Sequence, residues 1–277
     1  MKNKIFDCFM FNNETMLLEI RLNILNEYVD YFVIVESAET HSGLKKKLTF
    51  DINKYSNFRN KIIYGVIDKF PSNLGSWEKE NYQRNFISNL LKKAEMNDFI
   101  LISDLDEIPN LSNITLTNYK EKVIVFKQRL FFYKFNFGEM NPSWHGTRCS
   151  QKKNLKNPQW IRNLKTYKRY KPYRIDKILF SKNYERSFKI IDEGGWHFTW
   201  MGNIDFMKEK LKSFAHTELN TSSLNNDVFI KKCIEKRIPI EQKQKIQLEK
   251  LPLNKKFLPI YILNNKQKYK HLFDGEM

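Results

Sequence analysis

The chain has 277 residues, of which 41% are hydrophobic and 14% aromatic, and its formal net charge is +17. This length and aromatic content exclude a disordered protein and allow one large α/β domain or two small ones. The basic excess favours polyanionic partners, namely nucleic acid, an anionic membrane or a phosphorylated substrate, although a composition rich in Lys, Asn and Ile accounts for part of it.

The three cysteines, Cys8, Cys149 and Cys233, are widely spaced and show no metal-ligand pattern. Their odd number predicts reduced thiols rather than a disulfide framework. The N-terminal apolar run is short and interrupted by Asp7, so we expect neither a signal peptide nor a membrane anchor there. No other run approaches the roughly eighteen apolar residues of a membrane span. We therefore expect a cytoplasmic protein that can also lie peripherally at the inner face of the membrane.

The first 107 residues predict an alternation of strands and helices. Mainly apolar runs indicate strands at 5–11, 31–35, 61–67 and 99–103, and the continuous run at 31–35 is typical of a strand covered on both faces. Helical spacing of apolar residues indicates helices at 14–28 and 77–95, the first with its N-cap at Asn12 or Asn13. This order favours parallel strands joined by right-handed crossovers.

The strand at 99–103 ends abruptly in the carboxylates of Asp104, Asp106 and Glu107. Such an ending places acidic side chains at the carboxyl edge of a sheet, where open α/β sheets bind ligands. Asp104 and Asp106 point to the same side of an extended chain, and a divalent cation shared with substrate phosphates would relieve their repulsion. The pattern predicts a nucleotide-sugar and metal site, with a solvated acidic turn as the alternative. Glu107 points the other way and is expected to orient the turn or a basic neighbour.

The second half has weaker periodicity. Strands rich in Phe and Tyr are predicted at 123–126 and 130–137, and a further strand at 175–180. The polar, basic stretch at 141–172 indicates a long loop region. A glycine-bounded aromatic segment at 194–202 precedes helices predicted at 204–216 and 224–236. No internal repeat or flexible linker divides the chain, so we expect a single domain over 1–277.

Five blocks of sequence, taken in order, resemble the family 17 glycosyltransferases. They are Phe6-Asp7-Cys8-Phe9 with Asn13-Glu14 and Leu18-Glu19-Ile20-Arg21-Leu22; Tyr31-Phe32-Val33-Ile34-Val35-Glu36-Ser37; Glu80-Asn81-Tyr82-Gln83-Arg84-Asn85; Ser103-Asp104-Leu105-Asp106-Glu107-Ile108-Pro109; and 194–202 with 212–218. The likeness spans about residues 4–220.

The resemblance implies a GT-A-like fold, with a mixed, mainly parallel sheet flanked by helices. It implies that a sugar is transferred with inversion from a UDP-sugar to a glycan or lipid-linked saccharide, with the assistance of Mn²⁺ or Mg²⁺. UDP-GlcNAc is the leading candidate for the donor. Residues 1–107 would form the nucleotide-binding half, 108–220 would complete the acceptor and metal sites, and 221–277 would be a helical, basic tail.

The metal ligands implied are Asp106, Asp104 and a late histidine, His197, since imidazole suits Mn²⁺. Asp104 could act directly, through water or through the ribose. A lone histidine is alternatively a core residue with satisfied hydrogen bonds, and His216 is a weaker candidate of the same kind.

Donor-binding candidates lie at the ends of the predicted strands and on the second helix. Glu36 and Ser37 follow a central strand, where they would contact uracil or ribose, or else cap the next segment. Gln83 and Arg84 lie on the helix predicted at 77–95. Asp104, after the strand at 99–103, is a further donor-binding candidate. Arg84 would grip the diphosphate bidentately, or else pair with Glu80 four residues earlier.

An inverting transfer needs a general base on the acceptor side. Glu193 and its neighbour Asp192, next to the aromatic block, are the candidates, and Glu139 is their rival.

Acceptor-binding candidates are aromatic or basic. Trp144 lies in a polar stretch, which favours it as a platform for a sugar face, and His145 and Arg148 surround it. Trp196 is a further candidate, with core packing as the alternative for both tryptophans.

A basic nucleic-acid-binding or nuclease-like protein is the alternative from another class, since an acidic cluster could also hold a metal there. Lys and Arg are, however, spread along the chain, and no nucleic-acid-binding motif is present. We therefore expect a nucleotide-sugar donor, a saccharide acceptor and an anionic membrane surface as partners, and no specific nucleic acid.

Overall fold

The computed structural model describes residues 2–166, 173, 181, 183–241, 246 and 248–275; the strand predicted at 175–180 lies outside them. The strands are β1 Ile5–Phe11, β2 Tyr31–Ser37, β3 Ile62–Ile67, β4 Phe99–Asp104, β5 Glu107–Pro109, β6 Val123–Phe132, β7 Phe137–Gly138, β8 Trp144–Gln151, β9 Phe188–Ile191, β10 Gly195–Thr199 and β11 Glu249–Lys250. The α-helices are α1 Thr15–Leu25, α2 Ser76–Leu90, α3 Pro158–Asn163, α4 Ile204–Ser213, α5 Asp227–Lys236 and α6 Ile260–Asn264. Short 3₁₀ helices span Ile52–Lys61, Leu91–Lys93, Leu116–Asn118, Lys152–Asn154, Thr217–Leu219 and Lys270–Leu272.

Four parallel strands, in the order β3-β2-β1-β4, form the part of the sheet that positions the site. Their apolar runs are buried because helices cover both faces. Helix α1 packs on the face that carries Phe9 and Phe32, and α2 packs on the face that carries Cys8 and Val33. The alternation predicted for the first 107 residues is confirmed, and the carboxyl ends of the parallel strands meet at one edge.

Helix ends differ from the prediction by a few residues. Glu14, rather than Asn12 or Asn13, is the N-cap residue of α1, and its Oε2 accepts hydrogen bonds from the amides of those two asparagines at 3.3 and 3.2 Å. Helix α2 ends at Leu90 and passes into a 3₁₀ turn.

The sheet is mixed rather than mainly parallel. Among the described residues, five strand pairings are parallel and five are antiparallel. One reason is β8, which inserts antiparallel between β4 and β6 although it lies in the stretch predicted as a loop. Its buried side chains are polar and find distant partners, so its sequence shows no apolar alternation. For example, Thr147 Oγ1 accepts from Gln128 at 3.1 Å and donates to the carbonyl of Glu107 at 2.9 Å.

Strand β6 is one continuous strand, not the two predicted at 123–126 and 130–137. Polar residues interrupt its apolar pattern, yet Gln128 and Arg129 are buried within the strand. Strand β6 pairs with β7 and β8 antiparallel and with β9 and β10 in parallel. Because β10 also pairs with β5, it comes to lie beside the acidic residues that follow β4.

Helices α4 and α5 pack on a third apolar cluster that includes Trp200, Leu211 and Ile230. Among the residues that the structure describes, no helix has the length and apolar character needed to cross a membrane.

Candidate active site

A cavity of about 610 Å³ opens at the carboxyl ends of β1, β2 and β4. Side chains from α2, β8, α3, β10 and α4 complete its wall. This is the edge at which open α/β sheets bind ligands. Seven of the predicted site residues line the cavity: Ser37, Gln83, Arg84, Asp104, Asp106, Trp144 and His197.

Residues 104–107, the acidic turn, are held in place by a fully buried ion pair. Arg21 of α1 and Asp7 of β1 pair through two hydrogen bonds, Nε to Oδ2 at 2.8 Å and Nη2 to Oδ1 at 2.6 Å. Arg21 Nη1 also donates to three carbonyls of the acidic turn at 2.9, 3.0 and 2.9 Å. One guanidinium thus fixes the backbone that aims the carboxylates. The sequence signal for this pair was a charged residue, Asp7, inside a strand buried on both faces.

Asp104 lies between two arginines. Its Oδ1 accepts from Arg84 Nη2 at 2.9 Å, and its Oδ2 accepts from Arg162 Nη2 at 3.0 Å. Burial alone would raise the pKa of Asp104, but the guanidinium groups of Arg162 and Arg84 outweigh it and hold the pKa well below its usual range. Arg84 also pairs with Glu80 at 2.7 Å, so the predicted i,i+4 pair and the contact with the acidic turn both exist.

Glu107 is fully buried, and both of its oxygens are engaged. Its Oε2 accepts from the amide of Asp104 at 3.1 Å and from Arg162 Nη1 at 2.7 Å. Its Oε1 accepts from Trp144 Nε1 at 2.7 Å. This matches the expectation that Glu107 orients the turn and a basic neighbour. That neighbour, Arg162, was missed because it lies in the stretch predicted as a loop.

Asp106 faces a lysine and a histidine. Its Oδ2 is 3.4 Å from Lys210 Nζ, and its Oδ1 is 3.5 Å from His197 Nε2. Burial would raise the pKa of Asp106, but Lys210 and His197 lower it to about 2. Burial would lower the pKa of His197, but Asp106 more than offsets this, so that the pKa of the imidazole lies above its ordinary value.

Asp106 and His197 are better suited than Asp104 to hold a divalent cation, because Asp106 Oδ1 and His197 Nε2 face each other. Within the described part of the chain, the other ring nitrogen, His197 Nδ1, is buried without a hydrogen-bond partner. A carboxylate and an imidazole together suit Mn²⁺. No group of three His, Cys, Asp or Glu side chains that could hold a metal occurs in that same part, so the three-ligand set expected from Asp104, Asp106 and His197 is not assembled. The physical reason is that both Asp104 oxygens are bound to arginines.

The cavity wall beyond β2 is polar and contains the neutral side chains of Ser37, His41 and Gln83 together with Glu39 and Lys46. Gln83 Nε2 donates to the carbonyl of Val35 at 3.0 Å, which leaves its Oε1 to accept from His41 Nε2 at 2.8 Å. Burial lowers the pKa of His41, which keeps the imidazole neutral. Ser37 Oγ accepts from the amide of Glu39 at 3.2 Å. Such a wall can bind a nucleobase or a ribose, and His41 was missed because nothing in its local sequence distinguishes it.

Glu36, predicted as a donor-binding residue, lies outside the cavity wall. Successive residues of a strand point to opposite faces, so Ser37 faces the cavity and Glu36 does not. The buried Glu36 carboxylate accepts from Lys46 Nζ at 2.7 Å, from the amides of Thr49 and Phe50 at 2.8 and 3.1 Å, and from the Tyr64 hydroxyl at 2.8 Å. It therefore anchors the segment 46–50.

The three carboxylates predicted as the general base are not part of the cavity wall. Glu193 is 60% exposed and pairs with Arg129 through both oxygens at 3.0 and 2.7 Å. Asp192 is 79% exposed, and Glu139 accepts from Ser143 at 2.6 Å. Asp192 and Glu193 are close in sequence to His197, but they lie in the turn before β10 and their side chains do not line the cavity.

Among the acceptor candidates, Trp144 lines the cavity, and its ring centroid is 4.9 Å from that of His197. The neighbouring strand positions point away from the cavity. His145 Nδ1 lies 3.0 Å from the hydroxyl of Thr166, and Trp196 Nε1 donates to the carbonyl of residue 257 at 2.8 Å. Arg148 is buried and donates to backbone carbonyls at the end of α3. These three residues shape the scaffold instead.

Glu241 is a cavity residue that sequence reasoning missed, since it follows α5 without any motif. Trp200 Nε1 donates to Glu241 Oε1 at 2.8 Å, and Trp200 has a left-handed backbone with φ of 57°. Lys210 Nζ lies 5.6 Å from the Trp200 ring centroid. The Tyr133 hydroxyl anchors the segment before Glu241 by donating to the carbonyl of Ile238 at 2.7 Å.

His216, the weaker metal-ligand candidate, lies in the cavity wall but pairs with Glu218 at 2.7 Å. Its ring makes an edge contact with Trp77, at 4.5 Å between centroids. These contacts place it at the rim of the cavity.

Comparisons with known proteins point to one family of enzymes. The model of glycosyltransferase family 17 matches residues 1–277. The β-1,4-mannosyl-glycoprotein 4-β-N-acetylglucosaminyltransferases of Rattus norvegicus and Homo sapiens are each 29% identical to the chain over 116 residues, and that of Mus musculus is 28% identical. Each match covers 38% of this chain and 22% of the relative, so it spans about a fifth of the relatives' length.

Proposed function

The chain belongs to glycosyltransferase family 17 and is a glycosyltransferase, and we propose that it transfers N-acetylglucosamine from UDP-GlcNAc to a glycan acceptor with inversion. The observation that carries the proposal is the acidic pair Asp104 and Asp106 at the sheet edge, with three cationic side chains paired to it in the same cavity. Carboxylates can hold a divalent cation, and cationic side chains can hold a diphosphate. The relatives' names support the choice of sugar.

We propose a GT-A-like fold for the chain. The parallel order β3-β2-β1-β4, continued by the antiparallel β8, supports it, as does the acidic turn directly after β4. Residues 1–107 would provide the nucleotide side of the cavity. Residues 108–220 would provide Trp144 and His197 on the acceptor and metal side, and the tail 221–277 would add Glu241.

The donor would lie across the cavity with its uridine against Ser37, His41 and Gln83. The hydrogen-bonding groups of these three neutral side chains support the placement. Its diphosphate would take over hydrogen bonds that Arg84 and Arg162 now give to Asp104. Guanidinium groups are suited to this exchange, since their fixed donors match phosphate as well as carboxylate geometry.

Asp106 and His197 would hold Mn²⁺ or Mg²⁺ together with oxygens of the donor. The bound cation would stabilise the charge that develops on the leaving diphosphate. Lys210, 3.4 Å from Asp106 Oδ2, can contribute to the same stabilisation as a protein cation.

Glu241 would act as the general base in place of the three carboxylates predicted from sequence. It would take the proton of the acceptor hydroxyl, whose oxygen attacks the anomeric carbon as the bond to the diphosphate breaks. Its hydrogen bond is with a neutral indole donor, Trp200 Nε1, while Lys210 interacts with it only electrostatically. The other carboxylates of the cavity wall accept from cations or backbone amides: Glu14, Glu39, Glu80, Asp104 and Asp106.

The acceptor would approach past Trp144, whose half-buried ring can stack on a sugar face. We propose a lipid-linked saccharide as the acceptor class, presented at an anionic membrane. The net charge of +17 supports such a membrane partner. The family assignment removes the main reason to interpret the acidic pair as a nuclease site.

Thermal unfolding with different donors tests this function. Saturating UDP-GlcNAc with Mn²⁺ should raise the melting temperature, since a ligand at a hundred times its Kd stabilises by about 2.7 kcal/mol. UDP-GlcNAc with a chelator should do much less, and GDP- and CMP-sugars should have no effect. A shift with GDP- or CMP-sugars but none with UDP-sugars would contradict the donor assignment. The variant Asp106→Asn should lose this shift in melting temperature. Asp192→Asn, which changes a surface carboxylate, is its matched control and should retain the shift.

The stereochemistry can be tested without knowing the acceptor. With water as the acceptor, slow hydrolysis of UDP-GlcNAc should first release the β-anomer of free GlcNAc, which proton NMR distinguishes from the α-anomer. Initial release of the α-anomer would refute inversion.

A further inference from the structure

The segment 44–48 presents two leucines and two lysines to solvent beside the mouth of the cavity. Leu44 is 56% exposed and Leu48 is 43% exposed, and Lys45 and Lys47 between them are also exposed. None of these four side chains takes part in the mechanism. Neither lysine forms an ion pair within the described residues, so the segment combines apolar surface with unpaired positive charge.

This exposure is fixed by the fold. Lys46, in the middle of the segment, turns inward to the buried Glu36 at 2.7 Å, and its amide donates to the carbonyl of Ala38 at 2.9 Å. The Leu44 carbonyl accepts from the amide of Thr40 at 2.7 Å. Glu36 therefore anchors the one lysine that points inward, while the neighbouring leucines and lysines are left outside.

The surface continues onto helix α2. A Cβ atom placed on Gly43 would lie 3.0 Å from Lys79 Nζ, so this lysine of α2 adjoins the segment. Trp77, two residues earlier on α2, is 48% exposed and lines the cavity, as Lys46 does. Exposed leucine, lysine and tryptophan side chains around one cavity are typical of proteins that dip into the headgroup region of a lipid bilayer.

We propose that residues 44–48, with Trp77 and Lys79, form a contact surface for an anionic membrane. The lysines complement anionic headgroups, and the leucines and tryptophan enter the region between headgroups and acyl chains. A nucleic acid would leave the leucines without a partner. The contact would hold the mouth of the cavity near the bilayer. The inference that a lipid-linked acceptor enters there rests on the proposed function, whereas the contact itself does not.

Co-sedimentation with vesicles tests the surface directly. The wild-type protein should bind vesicles of phosphatidylcholine with about 30% phosphatidylglycerol, bind pure phosphatidylcholine at least about tenfold less, and release as NaCl is raised. Leu44→Ser/Leu48→Ser should lower the partition coefficient at least about tenfold. Lys45→Glu/Lys47→Glu should do the same, because each lysine near an anionic surface contributes about fivefold.

Matched controls lie on another part of the molecule. Ile260 is 63% exposed on α6, and Lys255 and Lys256 are exposed just before it. Ile260→Ser and Lys255→Glu/Lys256→Glu change the same residue types and should alter vesicle binding less than about twofold. An equal loss in both sets would show that net charge alone drives binding and would overturn the proposal. Absence of vesicle binding would also overturn the proposal. The same holds if these leucines and lysines instead mediate self-association or RNA binding.

The donor-induced shift in melting temperature, measured on the same samples, separates the two proposals. A shift in melting temperature without vesicle binding would refute the proposed membrane contact and leave the proposed donor unaffected. Vesicle binding without any shift would leave the surface standing and would contradict the proposed donor.

Discussion

The buried pair of Asp7 and Arg21 allows a prediction whose size follows from the structure. Arg21→Met removes the guanidinium and keeps an unbranched side chain. Asp7, which is 0% exposed, then retains a charge that has lost both hydrogen bonds from its partner. Breaking a buried ion pair from one side costs about 3–5 kcal/mol. At about 2–4 °C per kcal/mol for a chain of this size, the melting temperature should fall by about 6–20 °C.

A double variant separates the cost of the buried charge from the positioning of the acidic turn. Asp7→Leu/Arg21→Met removes both charges, and apolar replacements of a buried ion pair are often neutral or stabilising. Most of the lost stability should therefore return. The three carbonyls of the acidic turn still lack the Arg21 donor in this variant. We expect UDP-GlcNAc with Mn²⁺ to bind at least about tenfold more weakly than in the wild type, a loss of about 1.4 kcal/mol.

The assay combines urea unfolding with calorimetric titration of the donor at a temperature where all variants are folded. Lys208→Met, which removes a surface ion pair with Asp227, is the control and should change neither stability nor binding. Recovery of both stability and donor affinity in the double variant would refute a positioning role for Arg21. A wild-type melting temperature in Arg21→Met would refute the argument from the buried charge.

Three further predictions address single side chains of the cavity. Glu241→Gln should reduce transfer about 10²-fold or more while keeping the donor-induced melting shift, whereas Glu193→Gln should stay near wild type; the reverse ranking in an assay of UDP release would restore Glu193 as the base. Asp106→Asn should abolish the Mn²⁺-dependent shift and, because the pKa of Asp106 is lowered to about 2, should also lower the free energy of unfolding by about 2 kcal/mol without metal. In the wild type, this part of the stability should disappear as pH falls from about 4 to about 2. Unfolding curves of equal midpoint for variant and wild type at pH 7 would contradict the ion pair with Lys210. His41→Gln should lose less stability than the wild type when the pH falls from 7 to 5. The pKa of His41 is lowered by burial, so over this range the unfolded wild-type chain takes up a proton that the folded chain does not. Parallel curves of stability against pH for variant and wild type would show that His41 is not buried as a neutral group.

The fold of the first 107 residues was predictable because its signals are local. Continuous apolar runs identify β1, β2 and β4, which are buried on both faces, and their shared edge follows from the parallel arrangement. The abrupt change from Ile102 to Asp104 marks the end of the central strand. These features depend on residues close together in sequence, so periodicity and residue type suffice.

The rest of the site depends on contacts between residues far apart in sequence. Strand β8 is polar, and its burial becomes intelligible only once partners such as Gln128 and Glu107 are known. Glu241 lies 135 positions after Asp106, and no motif connects them. The choice of Glu193 rested on its position in the sequence beside the aromatic block, and strand geometry separates that turn from the cavity.

Buried arginines explain how irregular segments can form a defined cavity. Arg21 donates hydrogen bonds to three carbonyls of the acidic turn, and Arg148 donates to carbonyls at the end of α3. Arg129 donates to carbonyls before β8 and also pairs with Glu193. Each guanidinium offers five donors in a rigid plane, so one side chain can satisfy several backbone groups that regular structure would otherwise pair. Lysine has a single point charge and no such plane, which makes these positions unsuited to Lys. Arg21 and Arg129 are also paired with Asp7 and Glu193, so their charges are balanced inside the scaffold. The positive charge available to an anionic partner is therefore carried mainly by surface lysines.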